Sequence, residues 1–455
     1  MHDKQSLEPL KRLQVAIIDG DAEAIAQQLA ALETVEAIHA ISHLTSAQQS
    51  QLLNLLSHVD AAQIVDDLPE EHAAQMIERL DSEDAAAILS ELPSNEQADV
   101  INRLSELEAS AILEAMPLDE ARDARRLMAY PSESAGGLMI TEYLVYRDHL
   151  TVGDVLDDLR DHAARYRRYD VQYAYVVGPN GVLEGVLRLR DLLLSAPDEP
   201  LSAVMIQEPL SVRDTASLEE MERFFDRHPL FGAPALDQHG VLVGVVRRAD
   251  VEKAAEERST RRFLKFMGIV GGEELRTMPL RVRSMRRLGW LSVNIVLNIL
   301  AASVIALHQD TLSAVIALAV FLPIISDMSG CSGFQAVAVS MRELALGFTK
   351  PSEIFRVLGK EASVGVINGI VLGLLLGLVG WLWQGNLMLG AVVAAALAIN
   401  TLVAVCFGGA IPLVLRGLGQ DPALASGPIL TTITDTSGFF LVLTLAGAVL
   451  PWLTG

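Results

Sequence analysis

The stretch Pro428–Leu450, PILTTITDTSGFFLVLTLAGAVL, is long and apolar, yet it carries one ionisable side chain, Asp435, near its middle. A helix needs about 20 apolar residues to cross a bilayer. A charge at mid-depth costs about 3 kcal/mol or more, so an acid there faces a water-filled path or a partner. The reading of this stretch decides the fold of the C-terminal part, and with it the class of function.

Its surroundings point to a membrane. Apolar runs cover Leu288–Leu307, Leu312–Leu346, Val364–Trp383, Leu387–Leu415 and Ala423–Leu453. Five spans are expected, and the longer second, fourth and fifth should tilt, break or project. Arg281, Arg283, Arg286 and Arg287 precede the first run, whereas the loop His308–Asp310 has no base. Arg342, Lys350, Arg356 and Lys360 follow the second run, Gln384–Asn386 again has no base, and Arg416 follows the fourth. Bases alternating with their absence place the N-terminal part in the cytoplasm and the C-terminus outside. The start, MHDKQSLEPLKRL, lacks the apolar core of a signal peptide, in keeping with that orientation.

Composition divides the chain in the same place. Of 57 acids and 35 bases, only seven and nine lie in residues 279–455, so residues 1–278 hold 50 acids and 26 bases. Mean hydropathy is +0.34 over the 455 residues, an average of an acidic soluble part and a nearly neutral apolar one. The acidic part argues against nucleic acid and suits cations, although solvated helix faces account for most single acids. The two cysteines, Cys331 and Cys406, both lie in apolar runs and suggest no disulfide framework or thiolate metal site. No nucleophile–base set, phosphate-cradling glycine loop or zinc spacing points to an enzyme.

A second acid, Asp327, sits near the centre of the second run and is followed by MSGCSGFQ. Gly330 and Gly333 are expected to weaken the helix there and to admit another backbone closely. An unwound segment would be tolerated only beside a cavity or inside protein. In the fifth run, Thr431, Asp435 and Gly438 share one helix face. The functional reading is a cation path, with a proton relay as a second use of such acids; the plain alternative is a carboxyl buried between helices.

The soluble part repeats twice over. AAQIVDDLP, AAAILSELP and ASAILEAMP end at Pro69, Pro93 and Pro117, 24 residues apart, and Leu80, Leu104 and Met128 keep that spacing. Each unit reads as two short helices with a proline-marked turn, stacked as a small solenoid over residues 1–130. Glu70, Glu71, Asp81, Glu83 and Asp84 fall at helix starts, where the dipole favours acids. After YPSESAGGLM (Tyr130–Met139) the pattern changes. VQYAYVV and VLEGVLRL read as strands around the turn at Pro179–Gly181. GVLEGVLRLRD (Gly181–Asp191) returns as GVLVGVVRRAD (Gly240–Asp250), so an α/β module occurs twice, over residues 139–200 and 205–256. A connecting helix over 257–284 leads to the membrane part, 285–455.

The doubled module resembles a CBS-domain pair, a unit that often binds adenine nucleotides. Asp191 and Asp250 match that pattern, whereas Arg188 and Arg247 stand where Thr or Ser is common. An acidic helical repeat, a CBS pair, a connecting helix and five spans resemble, in that order, the MgtE-type magnesium transporters and channels. The most specific segments are YPSESAGGLM, PIISDMSGCSGFQAVAVSMRELALG and DPALASGPILTTITDTSG. The resemblance implies a homodimer with a pore on its two-fold axis and an ion held by Asp435; Thr431, Asp327, Gly330 and Cys331 are further candidates for the ion path. It also implies that regulatory Mg2+ is shared among acids of the soluble part, for which Asp81, Asp84, Asp214, Asp226, Asp250 and Glu256 are candidates, and that ATP or another adenine nucleotide binds the CBS pair.

Two departures from the family pattern matter. Cys331 replaces the usual Asn of GGNxGxQ, and Asp327 adds a carboxylate; a thiol ligand would favour Co2+, Ni2+ or Zn2+. The connecting segment EERSTRRFLKFMG carries Arg258, Arg261, Arg262 and Lys265, which can pair with acids without metal or meet lipid phosphates. An ion-coupled carrier of other divalent metals such as Co2+ is therefore the alternative to a Mg2+ channel, and a membrane-anchored sensor that transports nothing is a third reading.

Overall fold

The computed structural model describes residues 2–167, 169 and 172–454 and divides into two units, Met1–Glu257 and Arg258–Gly455. In the first unit, helices α1 (His2–Asp19), α2 (Ala22–Ala30), α3 (Thr34–Ser42), α4 (Ser46–Leu55) and α5 (His58–Asp67) lead into α6 (Glu70–Ile77), α7 (Ser82–Leu89), α8 (Ser94–Arg103), α9 (Glu106–Ala115) and α10 (Leu118–Met128). Each 24-residue repeat is a helix pair, as its proline spacing predicts. Pro69, Pro93 and Pro117 are the N-cap residues of α6, α8 and α10. Ser57 and Ser105 accept hydrogen bonds from the first turns of α5 and α9. Leu53, Ile77, Ile88, Leu89 and Ile101 bury in one continuous core, with Leu80, Leu104 and Met128 packed against it. Glu70, Glu71, Glu83 and Asp84 do lie in first turns, while the side chain of Asp81, the N-cap of α7, makes no capping bond.

The CBS pair begins with the short helix α11 (Ala135–Leu138) and β1 (Met139–Ile140). Strands β2 (Leu144–Arg147), β3 (Tyr173–Val177), β4 (Leu183–Arg188) and β5 (Ile206–Gln207) form one sheet; β6 (Val212–Arg213), β7 (Gly232–Leu236) and β8 (Leu242–Arg247) form the other together with β1. The sequence copies and the sheets do not coincide. β1 opens the first copy but pairs with β8 of the second, and β5 opens the second copy but pairs with β4 of the first. The glycines of the repeated motif explain the fit. A Cβ at Gly185 would overlap the side chain of Met205, and one at Gly244 would overlap Met139, the residues that carry the exchanged strands. The two motif turns bond reciprocally, Leu183 N to Gly240 O and Leu242 N to Gly181 O, both at 3.1 Å. The intervening helices are α12 (Val152–Asp161), α13 (Ala163–Tyr166), α14 (Leu189–Leu194), α15 (Leu201–Val204) and α16 (Leu218–Arg227).

The expected connecting helix over 257–284 is corrected. Helix α17 runs Arg248–Phe266 without a break after β8, and Gly268, Gly271 and Gly272, all at positive φ, end it. The second unit then holds α18 (Leu280–Leu307), α19 (Gln309–Ala314), α20 (Leu318–Ala345), α21 (Ile354–Gln384), α22 (Leu387–Gly417), α23 (Pro422–Ala448) and α24 (Leu450–Thr454). The second apolar run breaks between α19 and α20. Among the described residues, four helices are long and apolar enough to cross a membrane: Leu280–Leu307, Pro351–Gln384, Leu387–Gly417 and Ser426–Ala448. Helix α20, expected as the remaining span, is diluted by Pro323, Asp327 and the SGCSGFQ segment. Its 28 residues still have the length of a span, and it turns Phe321, Ile325, Ser329, Gly333 and Val337 inward.

Helix α22 is the centre of this unit, with 56% of its apolar stretch buried against 6% for α18. Gly365, Gly369, Gly373 and Gly377 of α21, one turn apart, let the backbone of α22 approach along Leu402, Ala398 and Ala394. The outward faces of α18 and α21 are strongly apolar, with Ile299, Ile367 and Leu374 each about two-thirds exposed. Faces of this kind require lipid or another protein surface.

Candidate ion site in the membrane unit

Three helices meet in layers. Leu318, Phe321, Leu322 and Ile325 of α20 pack with Val392, Val393, Ala396 and Leu397 of α22 and with Val442, Leu443 and Ala446 of α23. A second apolar cluster contains Val337 of α20, Ile411 of α22 and Leu430 of α23. Between these clusters, on all three helices, the sequence turns polar: Ser326 to Ser332, Asn400 and Thr401, and Thr431 to Ser437. A polar layer inside apolar helices is tolerated only if its groups find partners or an aqueous path.

Asp435 lies in that layer. Its Oδ1 accepts a hydrogen bond from Ser326 Oγ across the α20–α23 contact. No base pairs with it among the described residues, so its partner there is neutral. Asn400, fully buried, donates from Nδ2 to the carbonyl of Thr434 at 3.0 Å, and its Oδ1 accepts from Ser437 Oγ at 2.5 Å. The threonine hydroxyls turn inward on their own helix. Thr431 donates to Gly427 O (3.1 Å), Thr432 to Pro428 O (2.7 Å) and Thr434 to Thr431 O (3.0 Å).

The other expected pore residues divide. A Cβ at Gly330 would lie 3.8 Å from Thr434 Oγ1, so Gly330 faces α23 beside the acid. Asp327 and Cys331, one turn apart, are exposed on another face of α20. The unwinding expected at Gly330 and Gly333 does not occur, for α20 is helical throughout. The close approach also expected of them holds: a Cβ at Gly333 would meet Ala404 O and Leu430 at 3.0 Å. Sequence reading missed Ser326 and Asn400. A polar residue breaking an apolar run on a neighbouring helix was the available signal.

In the first unit the acids have different company. Asp250 is buried, and Arg247 grips it with two hydrogen bonds of 2.6 and 2.8 Å. Burial pushes its carboxyl up, against the lowering effect of Arg247. Lys253 Nζ meets Glu96 at 2.6 Å, and Arg103 bridges Glu70 and Glu71 at 2.6 and 3.0 Å. Asp99 is half-buried among these groups, and its carboxyl is pushed up to about 8 by burial, then by the charges of Glu70 and Glu96. Asp214 accepts from Tyr130 OH at 3.0 Å. Asp81, Asp84, Asp226 and Glu256 are exposed. Among the described residues no three acid, histidine or cysteine side chains converge on one point. A cavity of about 310 Å³ between the CBS copies is lined by Tyr143, Tyr173, Tyr175, Arg247, Arg248 and Asp250, among others. Asp191 does not line it and sits beside Arg190 at 3.4 Å.

Comparison with known proteins follows the same division. Family models match for the MgtE divalent cation transporter over residues 322–445, the MgtE intracellular N domain over 32–133 and a CBS domain over 201–257. The magnesium transporter MgtE of Bacillus subtilis (strain 168) is 32% identical over 324 residues, 71% of each chain. The chain belongs to the MgtE family. The MgtE of Thermus thermophilus is 33% identical over 328 residues, 71% of this chain and 72% of that one. The crystal structure of the soluble part of a magnesium transporter matches with a TM-score of 0.50 at 21% identity, covering 56% of this chain and 99% of that one, which supports the fold of the soluble part. MgtE proteins are transporters rather than enzymes, and this chain is a multi-pass membrane protein with a CBS pair.

Proposed function

We propose that this MgtE-family chain conducts Mg2+ across the cytoplasmic (inner) membrane through a homodimeric pore, with Asp435 as the acid that holds the ion. The observation that carries this reading is the carboxylate of Asp435 in a polar layer between two apolar clusters, partnered by a neutral hydroxyl. Two such acids across a two-fold axis repel each other when empty, which favours a divalent guest. Mg2+ retains several waters and is usually held by one or two carboxylates, so one acid per chain suits it. The bases before α18 and after α20 and α22 support an orientation with the N-terminus in the cytoplasm and the C-terminus outside.

In this reading the acidic soluble part senses cytoplasmic Mg2+. The exposed Asp81, Asp84, Asp226 and Glu256 are free to share ions, whereas Asp250 and Asp214 already hold Arg247 and Tyr130. The CBS cavity, with three tyrosines and two arginines, suits an adenine ring and its phosphates. Thr431 and Gly330 stand beside the ion path. Asp327 and Cys331, on another face of α20, reach the path only if a second chain brings that face to it.

Mg2+ influx into liposomes, with the pH gradient clamped at zero, tests the proposal. Flux in the parent that disappears in Asp435→Asn is the expected result. Equal flux in both would remove Asp435 from the path, and flux only under an imposed proton gradient would favour a coupled carrier.

A further inference from the structure

Asp435 is bonded by a residue of α20, and the turn of α23 that carries it is bonded by a residue of α22. On α20, the Ser326 hydroxyl donates to the carboxylate itself. Three other hydroxyls of these helices behave differently. Ser340, Thr432 and Thr434 donate to backbone carbonyls, the usual way for a hydroxyl to be satisfied within a helix bundle. Ser326 instead links two helices through the one acid in the middle of α23. On α22, Asn400 is an amide in the most buried helix of the unit, with no exposed surface. Its two bonds go to residues on either side of Asp435, the carbonyl of Thr434 and the hydroxyl of Ser437. A Cβ at Gly438 would lie 2.7 Å from Asn400 Nδ2, so glycine there is what lets the amide reach the turn.

We propose that Ser326 and Asn400 are positioning residues for the ion site: Ser326 fixes the direction of the Asp435 carboxylate, and Asn400 fixes the turn of α23 that carries it. The proposal rests on Asp435 being the pore acid. With Oδ1 engaged by Ser326, the other carboxylate oxygen is left for the ion or its waters, in one defined orientation. Outer partners of this kind set the affinity of a metal site, and losing one typically weakens it by 10-fold or more. A serine or asparagine that served only packing would alter stability and the amount of folded protein, not the affinity.

The test measures Mg2+ influx against Mg2+ concentration for the full chain in liposomes, comparing the parent with Ser326→Ala, Ser326→Thr, Asn400→Ala and Asp435→Asn. The proposal expects the half-saturating concentration to rise about ten-fold in Ser326→Ala and Asn400→Ala. Ser326→Thr, which keeps the hydroxyl, should stay near the parent. If Asn400→Ala does not fold, the Ser326 pair still decides the matter. Abolished flux in Asp435→Asn with unchanged half-saturation in Ser326→Ala would overturn the positioning role and leave the pore acid standing. Lowered maximal rates with unchanged half-saturation would also overturn it, in favour of packing. Unchanged flux in Asp435→Asn would overturn the pore acid and the positioning role together.

Discussion

The base-paired acids of the first unit and Asp435 of the second keep different company. In the first unit, the buried carboxylate of Asp250 and the partly buried ones of Glu96 and Glu70 each meet a guanidinium or ammonium group. In the membrane unit, Asp435 meets a serine hydroxyl on a neighbouring helix. A carboxylate with a resident base is already neutralised and acts as a tie between elements. A carboxylate with only neutral donors keeps its charge available for a mobile cation. Acidic residues are equally frequent guesses for metal ligands in a sequence, and their partners are what separate the two uses.

The contrast predicts effects of graded size. The largest effect on stability is expected at the Arg247–Asp250 pair. Arg247→Ala leaves a buried carboxylate without its base, a change that costs about 3 kcal/mol, and should visibly lower the thermal midpoint of the first unit in the purified chain. A similar midpoint in variant and parent would mean that Asp250 is not held as described. Next, Gly244→Val should force Met139 and β1 from their place, costing about 2 kcal/mol by overpacking. Hydrogen exchange at Val245 and Val246 should then speed up, and unchanged exchange would show that β1 tolerates the side chain.

The third prediction concerns pH. An ordinary carboxyl releases its proton near pH 4, whereas Asp99 in the folded chain keeps it to about 8. Between those values the folded state holds more protons, so this group's contribution to stability falls as pH rises and is fully lost above about 8. Asp99→Asn should therefore stabilise the chain relative to the parent at pH 9 and not at pH 4, in paired thermal melts. A difference that does not vary with pH would refute this. The smallest effect is expected from Lys253→Ala. Its side chain is 48% exposed, so the pair with Glu96 should contribute less than about 1 kcal/mol, in a salt-dependent manner.

Much of this was legible in the sequence, for physical reasons. The 24-residue proline spacing shows because each helix pair must present the same apolar face to a shared core. Asp435 shows because a lone acid is conspicuous in an apolar run. The doubled CBS motif shows because both copies need glycine where a neighbouring strand presses close. The exchange of β1 and β5 does not show, since strands of two residues are defined by their partners and not by local pattern. Ser326 and Asn400 were hidden for a related reason: each matters through a residue on a distant helix, and the local mark is no more than a polar residue in an apolar run. Of the two effects expected of Gly330 and Gly333, only close approach holds, because a missing Cβ weakens an isolated helix but permits the tight packing that stabilises this one. The connecting helix was placed too late because its acidic and basic residues continue smoothly from Arg248, and only the glycines after Phe266 stop it.

The most direct measurement is Mg2+ influx for Asp435→Asn and Asp250→Asn side by side, in liposomes loaded with equal amounts of folded chain. Both substitutions remove one negative charge and keep nearly the same shape. Loss of flux in Asp435→Asn, with flux retained in Asp250→Asn, is the result predicted for an acid that holds the passing ion beside one that holds an arginine. Retained flux in Asp435→Asn would contradict the account at its centre.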